Sequence, residues 1–302
     1  MRRGSSGVAI LLSAMAVAAC VAFEEASSSR PHDDPDASGG NERDGAVDSA
    51  LSADEIIPTP LGEASTEAPA PTSFPSTLPL TGWWRANYSG APWLGGASAG
   101  TSAQRDLNSA TNAPDIATAL NGFTPANFNG IDDWLDSALP ISSYLASTAW
   151  EVHGLFSADT ARPHSPGVAY NFPALLGETV LSSVYVAFSS AGVIAGHTDG
   201  ASYKEVLGAC ATGGIHAFQA WFDGTALNVV IDGGAPATPV PAGPAVLGNG
   251  FLRVGAAHGT APAAAFDGRI VELMTADKVL GAPARAGVRA YFNERYRTAF
   301  PL

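Results

Sequence analysis

From residue 81 to residue 302 the chain is broken into short apolar runs separated by Gly, Pro, Asn and Asp, and this spacing constrains the fold more than any other feature. Runs of that length, bounded by turn formers, are too brief for core helices and suit the strands of antiparallel sheets. Val184-Tyr185-Val186-Ala187-Phe188 and Gly192-Val193-Ile194-Ala195-Gly196 read as two such strands, the first rich in β-branched and aromatic residues. Residues 215–222 alternate Phe218, Ala220 and Phe222 against Ala217, Gln219 and Trp221, turn at Asp223-Gly224-Thr225, and run on through residues 227–233 as the second arm of a hairpin. Further strands are expected at 83–87, 134–137, 148–157, 251–255 and 268–275. Only the end of the chain has a helical period. Pro283 suits a first turn, and Val288, Tyr291, Phe292 and Tyr296 share one face, with Arg285, Arg289 and Arg297 elsewhere. Many closely spaced strands and one terminal amphipathic helix predict an all-β protein built as a two-sheet antiparallel sandwich. No internal repeat is visible.

Several segments carry a resemblance. Trp83-Trp84-Arg85-Ala86-Asn87 resembles the opening strand of bacterial laminin-G-like, concanavalin A-like jelly-roll domains, and Phe128-Asn129-Gly130-Ile131-Asp132-Asp133-Trp134-Leu135 is similar to their Phe-Asp-Gly-x-Asp-Asp-Tyr-Leu strand. The hairpin from Asp223-Gly224 to Asp232-Gly233 and the run Phe266-Asp267-Gly268-Arg269-Ile270-Val271-Glu272-Leu273, leading into a helix that ends Tyr291-Phe292-Asn293-Glu294-Arg295-Tyr296, follow in the family's order. Trp93 with Ser98-Ala99-Gly100 is a looser version of its Trp-x-Asp-x-Ser-Gly turn, departing at Gly95, where the family has aspartate. The resemblance implies a jelly-roll sandwich over 81–302. The family's members include lectins, adhesion modules, glycan-binding appendages and some glycosidases, so the fold does not select a function among these.

The chain opens Met1-Arg2-Arg3 and is apolar from Val8 to Ala19 apart from Ser13, the charged start and short greasy middle of an export signal. That run falls short of the about 20 residues a membrane-spanning helix needs. It ends Val17-Ala18-Ala19-Cys20, which resembles the lipobox of bacterial lipoproteins and implies a leader over 1–19 and acylation of Cys20. Without the resemblance, the same leader reads as an ordinary secretory signal cleaved after Ala-Ala, or as an uncleaved helix. Val21, rather than aspartate, follows the cysteine, which by the same resemblance implies the outer membrane or cell surface. Over residues 20–80 twelve acidic side chains face two arginines amid eight prolines, so the segment reads as a disordered acidic tether. The overall charge of −13 resides mostly there, and with no basic face to replace phosphate counterions a nucleic-acid partner is excluded. Two cysteines exclude a disulfide-stapled miniature fold.

The chemistry-bearing residues are few. Retaining jelly-roll glycosidases need Glu-x-Asp-x-Glu on one strand, since a period of two points all three acids the same way, and no such triplet occurs. Asp132 and Asp133 are adjacent and read as a turn and strand-entry pair. Gly96-Ala97-Ser98-Ala99-Gly100 matches a nucleophile elbow in spelling but lacks the strand before it and the helix after it. The six histidines, His32, His153, His164, His197, His216 and His258, form no metal-ligand pair, no cofactor is implied, and metal is unassigned. Cys210, between Ala209 and Ala211, reads as a buried apolar thiol. Three residues stand out as candidate ligand contacts. Trp93, beside Pro92 and Gly95, is placed by the sequence in a loop as an exposed stacking platform, and His197 and Asp199 in His197-Thr198-Asp199-Gly200 lie at a strand end where binding loops occur. The expected function is a lipid-anchored cell-envelope binding module that takes a glycan or a surface protein. A polysaccharide or cell-wall hydrolase with an unfamiliar carboxylate pair is the alternative.

Overall fold

A computed structural model describes residues 77–97, 100–101, 105–109, 112–163, 173–180, 183–256 and 265–301. In chain order the strands are β1 (Gly82–Trp84), β2 (Gly95–Ala97), β3 (Gly100–Thr101), β4 (Leu107–Asn108), β5 (Asp115–Ile116), β6 (Ala126–Asn129), β7 (Leu135–Pro140) and β8 (Trp150–Ala158). They continue as β9 (Ala174–Glu178), β10 (Val184–Ser189), β11 (Gly192–Thr198), β12 (Tyr203–Gly208), β13 (His216–Phe222), β14 (Ala226–Ile231), β15 (Val240–Pro241), β16 (Phe251–Val254) and β17 (Asp267–Ala276), and helix α1 (Ala282–Tyr296) follows. The larger sheet runs β15-β14-β13-β8-β17-β1-β2-β3, with β6 on β17 and β5 on β6. The smaller runs β12-β11-β10-β9-β16-β7-β4. The protein is thus an all-β, two-sheet antiparallel sandwich with one C-terminal helix, as the spacing of its apolar runs predicts.

Period-two alternation explains the layers. From β8, Trp150, Val152 and Phe156 point between the sheets, where they meet Phe218, Ala220 and Phe222 of β13 and Val186, Phe188 and Val193 of the opposite sheet. Each such side chain removed from water contributes about 1.5–3 kcal/mol. Glu151 and Leu155 of β8 point outward and are buried all the same, because α1 and the residues leading into it lie over them. Leu155, Ala217, Val271 and Met274 pack there against Val288, Tyr291, Phe292 and Tyr296, the four helix residues that the sequence places on one face.

Buried polar groups fix the helix in place. Glu151 accepts the Leu280 N–H at 2.8 Å and the Arg285 guanidinium at 3.3 Å, and its other oxygen lies 2.8 Å from Nε2 of the equally buried His153. The Gln219 amide donates to the Arg285 carbonyl at 2.8 Å. Arg285 lies 4.0 Å from the centre of the Trp221 ring. Nearer the C-terminus, the Glu272 carboxylate accepts from Trp83 Nε1 and from the Tyr291 and Tyr296 hydroxyls, with Arg295 Nε at 3.8 Å. Buried acids of this kind persist only when donors and cations surround them.

Most of the expected strands are present, with shifted ends. The first stops at Trp84, and Asn87 makes only an isolated bridge to Thr124. Residues 134–137 become β7, which starts at Leu135 and reaches Pro140. β12 was not expected. It is an edge strand, and edge strands carry charges such as Lys204 and Glu205 that mask the apolar pattern.

Candidate functional site

Two of the three sequence candidates are core residues. Trp93 is 1% exposed, donates its indole N–H to the Arg85 carbonyl at 2.7 Å, and stands edge-on to Tyr88. The expectation of an exposed platform is therefore corrected: paired backbone bonds between Trp93 and Leu107, at 2.8 and 3.0 Å, pull the ring inward. The neighbouring Gly95 has a steric cause, since a Cβ there would lie 2.1 Å from the Arg105 carbonyl oxygen. The carboxylate that the resemblance expects at this turn comes instead from Asp106, whose Oδ1 accepts the Gly95 N–H at 2.8 Å.

His197 is also buried, which removes it from the binding-loop role expected of it. Its Nδ1 accepts the Trp150 indole N–H at 3.3 Å and its Nε2 donates to the Gly243 carbonyl at 2.9 Å. Burial lowers its pKa and keeps the ring neutral. Asp199 does lie at the surface, where Oδ1 accepts the N–H groups of Ala201 and Ser202 at 3.0 and 2.9 Å and so closes a turn. Those backbone bonds, that of Ser202 foremost, hold its carboxyl below the usual range. Asp132 and Asp133 organise the turn between β6 and β7, as their adjacency suggests. Cys210 is half-buried against the core, and burial pushes its thiol up to about 11, so it stays protonated. Gly96 and Gly100 belong to a β2–β3 hairpin instead of a strand–helix elbow. Cys20, Ser98, Ala99, His32, His164 and His258 lie outside the described residues. Among the described residues, no group of three His, Cys, Asp or Glu side chains is arranged to hold a metal ion.

The structure places an open polar cluster elsewhere. On the outer face of the larger sheet, a cavity of about 190 Å³ has apolar walls from Leu120, Pro125, Ile215 and Val271 and polar edges from Arg269, Ser157 and Gly214. Arg269 of β17 stands directly across from Ser157 of β8 and from Asn127 of β6, so guanidinium, hydroxyl and carboxamide occupy one row across three strands. Gly268 makes this row possible: its φ is +139°, and a Cβ would lie 2.2 Å from the Ser157 carbonyl oxygen. Among the described residues, none of these three side chains has a hydrogen-bond or ion-pair partner.

Both banks of the cavity are tied down. The Leu120–Phe123 turn, closed by mutual backbone bonds at 2.7 and 2.9 Å, is held by Asn121 donating to the Tyr296 carbonyl and by Phe123 standing edge-on to Tyr296 with ring centres 5.1 Å apart. Opposite, Gly213 and Gly214 take φ values of +74° and +71°, which glycine adopts without strain. The Gly213 N–H donates to the Ala158 carbonyl at 2.8 Å. His216 clamps the same turn, with Nδ1 2.7 Å from Asp232 Oδ2 and Nε2 3.1 Å from the Gly213 carbonyl. Sequence reasoning missed Arg269 and Ser157. The available signal was a cation near the start of a strand-like run, between Gly268 and Ile270.

No protein-family model and no characterised protein matches the sequence. Solved structures match the fold. Domain 4 of AbnA, a GH43 extracellular arabinanase from Geobacillus stearothermophilus determined in complex with arabinotriose, is 15% identical with a TM-score of 0.50, over 70% of this chain and 98% of that domain. A mutant of Trypanosoma rangeli sialidase displaying trans-sialidase activity is 12% identical with a TM-score of 0.48, over 72% of this chain and 33% of the sialidase. The chain thus spans about a third of the sialidase's length. At these identities the likeness is one of architecture, and the arabinanase domain carries it: the chain has the two-sheet β-sandwich fold.

Proposed function

We propose that the protein is a cell-envelope binding module that holds a glycan in the cleft lined by Arg269 and Ser157, with Asn127 in the same row on β6. The observation that carries this reading is a row of three polar side chains, unengaged among the described residues, beside an apolar wall. Sugars present alternating apolar faces and hydroxyl edges, and sites that take them offer the same mixture. The arabinotriose bound to the arabinanase domain that shares this fold is consistent with such a role. Carboxylate pairs for glycoside hydrolysis sit ~5–9.5 Å apart across a cleft. The described lining of this one contributes a cation and a hydroxyl, which favours binding over cleavage.

The leader and tether complete the proposal. Acylation at Cys20 holds the chain on the outer membrane or cell surface, and the acidic segment spaces the sandwich from it; the end of the expected 20–80 tether is corrected, because Leu78 and Leu80 are buried in the cluster under α1 and belong to the folded domain. Sixty flexible residues reach ~45 Å. The test of glycan binding is a printed oligosaccharide array probed with the full-length protein and with Ser157→Ala. Saturable binding to at least one glycan, weakened in the variant, is expected. An array with no saturable signal overturns the reading and points to a surface-protein partner.

A further inference from the structure

We infer that the cleft selects acidic sugars, with Arg269 pairing to a ligand carboxylate. The inference rests on the glycan-binding reading above and adds the charge of the ligand.

The arginines of this domain show how a guanidinium is normally accommodated here. Arg85 lies over Trp83 and Arg105 over Tyr144. Arg253 makes a two-pronged pair with Asp136 at 2.7 and 2.8 Å. Arg285 and Arg295 reach buried glutamates, and Arg289 reaches Gln219 and the Pro301 carbonyl. Each of these positive charges has an oxygen or a ring face to rest on. Arg269 is half-buried, lines a cavity, and has neither among the described residues.

Partial burial of an unpaired cation costs free energy, which an incoming anion recovers. A carboxylate matches the guanidinium fork with two parallel N–H···O bonds, a geometry that a neutral hydroxyl cannot reproduce. Neighbouring strands are ~4.8 Å apart. Ser157 and Asn127, one strand to either side of Arg269, are therefore placed to bond ring hydroxyls flanking the acid group. Leu120, Pro125, Ile215 and Val271 supply the face for the sugar's C–H surface. Residues 81–302 carry 16 acids and 11 bases, so the domain as a whole repels anions and the attraction has to be local.

The test compares oligosaccharides ending in glucuronate, galacturonate or sialic acid with the methyl ester of each, with neutral oligosaccharides and with sulfated ones, against the full-length protein at low salt. At least one acid should bind saturably and its ester about tenfold more weakly, with Arg269→Ala losing a similar factor and Arg269→Lys recovering part of it, as loss of a two-pronged charged contact predicts. Because Arg269 has no partner among the described residues, neither variant should unfold below the parent's midpoint, which separates lost contact from lost fold. Equal binding of acid, ester and neutral sugar, unchanged in Arg269→Ala, overturns the inference and leaves glycan binding standing. A preference for sulfated over carboxylated sugars overturns it also. No saturable binding to any member overturns both.

Discussion

Asp133 shows how much a single carboxyl can reveal about its surroundings. It is 7% exposed just before β7, with Oδ2 accepting the Asn129 N–H at 2.9 Å. Burial, with Asp132 and Asp115 nearby, pushes its pKa from 3.8 up to about 6, against the pull of the Asn129 N–H. Since the folded state holds this proton more tightly than the unfolded chain, its contribution is complete below 3.8 and is lost as pH rises through about 6. Asp133→Asn keeps an acceptor for Asn129 and removes the charge. It should raise stability at pH 7.5 by about 1–2 kcal/mol, or roughly 2–6 °C in unfolding midpoint, with no gain at pH 3.5. Thermal melts at the two pH values check this, and an equal gain at both would refute the burial argument. The sequence identified this residue as part of a turn but held no hint of its burial, because neighbours in space, not in sequence, exclude the water. The same limit explains Trp93. Pro92 and Gly95 beside it read as an exposed loop, whereas the bonds to Leu107, fourteen positions on, carry the ring into the core.

The elements were more legible than the residues. The 3.6-residue period of Val288, Tyr291, Phe292 and Tyr296 located the buried face of α1, because one helix face packs on one sheet and local spacing encodes that face. Arg295 was not legible as a buried residue. It is buried in fact, its Nε donating to the Tyr296 hydroxyl at 3.1 Å beside Glu272, and only the tertiary arrangement brings that acid there. Glu272→Ala would leave Trp83, Tyr291, Tyr296 and Arg295 without their shared acceptor. The expected cost is about 3–5 kcal/mol, read as a lower urea midpoint, with a smaller loss in Glu272→Gln. The turn at Gly213–Gly214 depends on His216 in a similar way. Its bond to Asp232 raises the imidazole's pKa above 6.5, and the doubly protonated ring donates to Asp232 and to the Gly213 carbonyl together. That support is complete below 6.5 and is lost as pH rises through the raised value. In hydrogen exchange, the Gly213 amide should lose about five- to tenfold of its protection on that rise, corresponding to one hydrogen bond of about 1–1.5 kcal/mol. His216→Ala should show the lower protection at every pH, and unchanged protection in that variant would remove the histidine from the clamp.

At the scale of the whole molecule, the sandwich and its cleft supply recognition, while the proposed leader and tether supply location, and the charge of the chain divides along the same line. The acidic excess gathers in residues 20–80 and leaves the folded domain close to neutral for its size. The proposed tether rests on that composition, which favours an extended chain over one that buries apolar surface. A single acyl chain holds a protein on a membrane only marginally, so durable attachment through Cys20 requires more than one chain, as a diacylglycerol provides. Cys20→Ala should therefore abolish labelling with radioactive palmitate and move the protein from the membrane to the soluble fraction, with its glycan affinity in solution unchanged. Deleting residues 25–64 makes the complementary change, because the anchor stays and the reach falls from ~45 Å to ~25 Å. That variant should label with palmitate as the parent does, yet capture fewer glycan-coated beads on intact cells while binding the free oligosaccharide equally well. Palmitate labelling that survives Cys20→Ala would refute the anchor, and bead capture insensitive to the deletion would refute the spacing role of the tether.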